Sequence, residues 1–141
     1  MKTAMSTTRI KEEFTISREQ DVVPFRNKVK DAAVKIGMGM LNQTKLITAA
    51  SELVRNLLKY GGGGTVCIEQ VNNGREDGIR LIFSDKGPGI PDVALALKDG
   101  YSTGKSLGLG LPGSKRLVNE FDIRSTVGVG TTVTIIKWKN G

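Results

Sequence analysis

The chain has 141 residues, 38% hydrophobic and 25% charged, with a formal net charge of +7, a composition that folds as one globular domain rather than staying disordered. It carries no histidine and one cysteine, Cys67, which excludes a Ser-His-Asp triad, a histidine metal site, a phosphohistidine acceptor and an internal disulfide. The basic residues are spread along the chain and aromatics are only 5%, so neither a basic nucleic-acid face nor base stacking is expected.

Residues 1–9 are rich in Ser, Thr and charge and read as a flexible tail ahead of a single domain over residues 10–141. Met1–Lys11 lacks the apolar run of a secretory signal and no stretch is apolar enough for a membrane span, so a cytoplasmic location is expected. Glu13–Ile16 reads as a short strand. Asp21 is a good N-cap, and Val22, Phe25, Val29, Ala32, Ala33 and Ile36 recur at helical spacing up to Gly37 and Gly39. A second helix is expected to start after Asn42 or Thr44 and to run to Lys59, with Leu46, Ile47, Ala50, Leu53, Val54, Leu57 and Leu58 on one side. The Gly61–Gly64 run stops it.

Thr65–Val71 and Ile79–Phe83 read as strands joined by a polar Asn72–Gly78 turn, and Asp92–Lys98 as one or two helical turns. Gly100–Leu107 is a small-residue loop. Leu111–Phe121 reads as a third helix with Pro112 in its first turn, followed by strands Ile123–Val127 and Thr131–Trp138 around Gly128-Val129-Gly130. Strands in hairpin pairs predict an α+β two-layer sandwich, with three main helices on one face of a mixed, mostly antiparallel sheet.

Three local features carry chemistry. Glu52 and Asn56 stand one turn apart on the polar side of the second helix, with Ala49 and Lys59 beside them; a solvated helix back has the same pattern. Strand Ile79–Phe83 runs into Ser84-Asp85-Lys86-Gly87-Pro88-Gly89, where a strand-terminal carboxylate can accept from an exocyclic amine and glycine admits a flat ring; a plain turn with a solvent-facing Asp also fits. Gly108-Leu109-Gly110-Leu111 precedes a helix and offers backbone N–H groups to phosphate, or else serves only as a hinge.

Two other matches fail. Gly108-x-Gly110-x-x-Gly113 follows a loop rather than a strand and lacks the acidic ribose partner about 20 residues on. Gly104-Lys105-Ser106 would need a glycine where Asp99 stands to complete a phosphate-binding P-loop.

Taken together, Glu52-x-x-x-Asn56, Asp85-x-Gly87-x-Gly89, Gly108-x-Gly110 and Gly128-x-Gly130-Thr131 resemble, in order and spacing, the four boxes of the GHKL ATP-binding superfamily. The match spans residues 12–138. The small size, the Tyr60–Gly64 run and Asp99-Gly100-Tyr101-Ser102 resemble its anti-sigma-factor serine/threonine kinases, nearest to the switch-kinase type of the bacterial stressosome.

The resemblance implies ATP and Mg²⁺ as cofactors, with Asn56 on the metal, Asp85 on the adenine amino group and Thr131 assisting through a water. It implies that Gly87 and Gly89 make room for the base, and that Gly108, Gly110 and Leu111 bind the phosphates, with Lys59 and Lys105 as further phosphate contacts. Glu52 is the implied general base. The implied substrate is a separate STAS-domain antagonist protein, and the implied downstream target a PP2C-type phosphatase. The first helix, with Arg26, Lys28 and Lys30, is a candidate docking face. An anti-sigma factor that sequesters a sigma factor directly and an orphan histidine-kinase catalytic domain share the same boxes.

Overall fold

The computed structural model describes residues 7–98 and 110–141, with side chains from residue 11 onward. Five strands, β1 (Thr7–Ile16), β2 (Gly64–Asn72), β3 (Asp77–Asp85), β4 (Glu120–Thr126) and β5 (Gly130–Trp138), form a sheet of order β1-β2-β3-β5-β4. All four pairings are antiparallel. The helices are α1 (Val22–Lys35), α2 (Met40–Lys59), the short α3 (Val93–Ala96) and α4 (Leu111–Leu117). This is the two-layer α+β sandwich expected from the sequence.

Alternation along the strands decides which side is covered. Phe14 and Ile16 of β1, Val66 and Ile68 of β2, Ile79, Leu81 and Phe83 of β3, and Val133 and Ile135 of β5 join the core with Phe25, Val29 and Ala33 of α1 and Leu46, Leu53, Val54 and Leu57 of α2. Phe25 ties the layers together, edge-on to Phe14 at 6.1 Å and to Phe83 at 6.0 Å between ring centroids, a favoured aromatic geometry.

Several boundaries differ from the sequence reading. β1 starts at Thr7 instead of Glu13, pairing with β2 as far as Asn72, so it takes in residues 7–9; residues 1–6 lie outside the described residues. α2 starts at Met40 because Gln43 N donates to Gly39 O at 2.9 Å. Met40 and Leu41 point outward, 74% and 68% exposed, so the apolar period begins a turn after the helix does. Asp21 stands at the α1 N-cap, but its carboxylate folds back and accepts from Ser17 N at 2.9 Å and Arg18 N at 3.0 Å.

The largest correction concerns α4, which ends at Leu117 and not at Phe121. Val118 is extended (φ −120°, ψ 167°), Asn119 N donates to Ile136 O at 2.9 Å and Asn119 Oδ1 accepts from Trp138 N at 2.8 Å. Edge pairing with β5 therefore outweighs helical continuation, and Glu120 and Phe121 open β4.

Candidate active site

Among the described residues the helix layer leaves a cavity against the sheet, with about 510 Å³ of space counting its open mouth. Its apolar walls are Leu53 and Leu57 of α2, Phe83, Ile123 and Val133 of the sheet, and Ile90 and Leu111. Its polar groups are few: Asn56, Asp85 and Thr131. An apolar slot with a small set of convergent polar atoms fits a flat heterocycle whose edge is recognised.

Asp85 ends β3 in register with Thr131 of β5 and Gly64 of β2. Its Oδ1 accepts from Gly87 N at 2.8 Å and from Thr131 N at 3.3 Å. Both bonds fall on one oxygen, so the carboxylate is fixed in direction while Oδ2 keeps accepting capacity for a further donor. Gly61 packs along the Asp85 side chain, and a Cβ there would lie 2.6 Å from both Cγ and Oδ2. Only glycine permits that approach.

The loop after Asp85 is fastened to the β4–β5 hairpin. Ile90 N donates to Ser125 Oγ at 2.7 Å, Gly128 N donates to Pro88 O at 2.9 Å, and the hydroxyls of Ser125 and Thr131 share a hydrogen bond of 2.7 Å. Gly89, at φ 81°, lines the cavity, and a Cβ there would lie 2.5 Å from Thr126 O. A Cβ on Gly87 would lie 2.9 Å from Gly61 Cα, so the space that Gly87 provides is taken by the neighbouring turn.

Glu52 and Asn56 occupy the α2 side of the site. Asn56 lines the cavity with Asp85. Glu52, one turn earlier, lies outside it, and borders a neighbouring cleft with Thr48, Gly110, Gly113, Ser114, Arg116 and Leu117. Its Oε1 pairs with Arg55 Nη1 at 3.2 Å, and a Cβ on Gly110 would lie 2.7 Å from its Oε2. Ala49, expected on the polar side, is fully buried: this side of α2 is packed against α4, which the helical period of α2 alone does not reveal.

The structure thus gathers Asn56, Asp85, Gly89, Leu111 and Thr131 around one cavity, with Glu52 and Gly110 in contact just beyond it. Lys59 is exposed, does not line the cavity, and holds its ammonium 5.4 Å from the Tyr60 ring centroid. Lys105 and Gly108, with the Gly100–Leu107 loop, lie outside the described residues. The sequence reading missed Ser125, Tyr60 and Ile90; Ser125 and Ile90 carried no signal there, because a serine in an edge strand and an isoleucine after Pro-Gly are unremarkable until the hairpin brings them together. Lys28 of the basic first helix stands 3.9 Å from Glu12 of β1.

The profile of the histidine kinase-, DNA gyrase B- and HSP90-like ATPases matches residues 41–140. The serine/threonine-protein kinase RsbT of Bacillus subtilis is 44% identical over 123 residues, covering 87% of this chain and 92% of that one. The chain belongs to this ATPase family, among its serine/threonine kinases. The kinase fold also aligns with the RsbU and RsbW domains of Rv1364c from Mycobacterium tuberculosis at a TM-score of 0.63 and 19% identity, covering 92% of this chain and 32% of that one. The catalytic domain of histidine kinase ThkA aligns at 0.53 and 14% identity, covering 93% of this kinase and 98% of that domain. At these identities the two structures bear on the fold alone.

Proposed function

We propose that the kinase transfers the γ-phosphoryl group of ATP to a serine or threonine hydroxyl of a STAS-domain antagonist protein, of the kind represented by RsbS. Once released from that antagonist, it activates a PP2C-type phosphatase of the RsbU kind in a partner switch that controls a sigma factor. The reading rests on one spatial relationship: Glu52 stands just beyond a cavity whose far side carries Asp85. The helix runs seven residues on from Glu52 to Lys59, about 10 Å, before the turn in which Gly61 touches Asp85, which leaves room for ribose and phosphates between adenine and base.

The adenine amino group is the donor that Asp85 Oδ2 is placed to accept, and the apolar walls take the ring. Asn56 is the residue that would hold Mg²⁺. The donor fits, since an amide oxygen suits a hard cation that keeps water and phosphate as its other ligands, and among the described residues no cluster of three acidic, Cys or His side chains offers an alternative cage. Bound there, the metal supplies neutralisation of phosphate charge.

The hydroxyl of the substrate gives its proton to Glu52 as its oxygen bonds to the γ-phosphorus and the bond to the β-phosphate oxygen breaks. Such base assistance is worth ~10²–10⁴-fold, about 3–5 kcal/mol. Gly110 and Leu111 N–H groups are candidates to stabilise the transferring group, together with Gly108 and Lys105. A cytoplasmic location goes with this reading because ATP is the donor.

The test is incubation of the purified kinase with γ-labelled ATP, Mg²⁺ and a STAS-domain antagonist, followed by phosphosite mapping. Acid-stable label on a serine or threonine supports the proposal. Acid-labile label on the histidine of an added phosphoacceptor domain would point to histidine-kinase chemistry instead, and a stable sigma-factor complex with an unlabelled antagonist to direct sequestration.

A further inference from the structure

The Glu52 carboxylate is confined at both of its oxygens. Its Oε1 accepts from Arg55 Nη1 at 3.2 Å, three residues further along α2. Its Oε2 abuts Gly110 at the start of α4, where a Cβ would lie 2.7 Å away, and it accepts no hydrogen bond among the described residues. We propose that Arg55 is a positioning residue for phosphotransfer: by holding Oε1 it leaves Oε2 as the oxygen that takes the proton of the acceptor hydroxyl. This rests on the kinase reading and names a further residue on which that reaction depends.

The pair does little for the fold. The side chains of Arg55 and Glu52 are 58% and 42% exposed, and an ion pair this open to water adds little to stability. Its consequence is geometric. A half-exposed glutamate on a helix has several side-chain rotamers open to it, and a base that wanders among them meets the hydroxyl only part of the time. Arg55 on one oxygen and Gly110 on the other take that freedom away.

The two oxygens are also not equivalent. Oε1 is occupied by an exposed guanidinium. Oε2 lies against the residue whose N–H, with that of Leu111, is a candidate to hold the transferring phosphoryl group. The free oxygen is therefore the one beside the phosphates. The hydroxyl proton passes to Oε2 as the hydroxyl oxygen bonds to the γ-phosphorus and the bond to the β-phosphate oxygen breaks. Phosphoryl transfer depends on positioning and electrostatics more than on covalent assistance, so the direction of this carboxylate matters more than its strength as a base.

Glu52 is the one partner of Arg55 among the described residues. Arg55 lines neither the nucleotide cavity nor the cleft beside Glu52, so its influence on the reaction runs through the carboxylate it holds. Arg116 differs, since it lines that cleft from α4 and has an interaction of its own.

The test is a double-mutant cycle in the full chain, with γ-labelled ATP and a STAS-domain antagonist, read by steady-state and single-turnover labelling. Arg55→Gln is expected to lower kcat about tenfold, with the KM for the antagonist, ATP affinity and Tm held near wild-type values. Arg55→Lys should keep kcat within about threefold of wild type, because one oxygen held by one nitrogen asks for a charged donor and not for the planar fork. In the Glu52→Ala background Arg55→Gln should cost nothing further, since the group it positions is gone. A wild-type kcat in Arg55→Gln would overturn the assignment, and so would the same tenfold loss in the Glu52→Ala background. A loss confined to the KM for the antagonist would make Arg55 a docking contact and overturn it too. A wild-type enzyme that labels no hydroxyl would instead remove the kinase reading on which the inference stands.

Discussion

Glu52 and Gly110 are in direct contact: a Cβ on Gly110 would lie 2.7 Å from Glu52 Oε2. Gly110 has φ 65° and stands at the N-cap of α4, a backbone region that costs a residue with a Cβ about 1–2 kcal/mol. One glycine therefore turns the chain into α4 and leaves room for the carboxylate. Gly110→Ala is expected to displace Glu52 and lower kcat for phosphotransfer by about 10–100-fold, with a much smaller effect on ADP affinity. Steady-state kinetics beside an ADP titration checks both halves.

Glu52 and Asn56 are one turn apart but are given different tasks, so their variants should fail differently. Glu52→Ala is expected to keep Mg²⁺-dependent ATP binding and to lose ~10²–10⁴-fold in transfer. Asn56→Ala should lose the part of nucleotide affinity that depends on Mg²⁺. Calorimetric titration with and without EDTA separates them: chelation should weaken the wild type toward the Asn56→Ala level and leave that variant nearly unmoved.

Ser125 fastens the Asp85 loop to the hairpin, because its Oγ accepts from Ile90 N and bonds the Thr131 hydroxyl, both at 2.7 Å. Ser125→Ala leaves the part-buried Ile90 N–H without this acceptor, and a loss of about 1–2 kcal/mol is expected. Urea unfolding should show it. ATP affinity should fall as well, since Ile90 and Thr131 both line the cavity.

Acid stability should carry the mark of Asp21. Hydrogen bonds from the backbone of Ser17 first, and then of Arg18, hold its carboxyl below the ordinary value of 3.8. A folded pKa below the unfolded one means a contribution that is fully present above the unfolded value and is lost as pH falls through the folded one. Asp21→Ala should therefore lower Tm relative to wild type at pH 6, and the gap should narrow steadily below pH 3.8. A gap independent of pH would contradict this.

Much of the site was legible because its motifs sit where a strand or helix ends. Asp85 and its glycines follow the apolar run of β3, and Asn56 lies on the polar side of α2; spacing left a plain turn and a solvated helix face open for them, and the resemblance to the family's boxes joined them into one site. What escaped depends on tertiary contact. The helical period of α2 assigned Ala49 to the polar side, since it says nothing of α4 packing there. The end of α4 was misread because Val118–Phe121 suits a helix and an edge strand alike, and only pairing with β5 decides. Ser125 became visible once the hairpin placed it beside Ile90.

The most direct test of the nucleotide site is ATP titration of Asp85→Asn. Asparagine keeps an oxygen to accept from Gly87 N and Thr131 N, so the fold and Tm should hold, but it presents an amide donor where Oδ2 stood. The account predicts that ATP affinity falls by at least about tenfold, the scale of one buried hydrogen bond replaced by two opposed donors, while GTP, which lacks the exocyclic amine at that edge, gains relative to ATP. Unchanged ATP affinity in a folded Asp85→Asn protein would contradict the placement of adenine against Asp85.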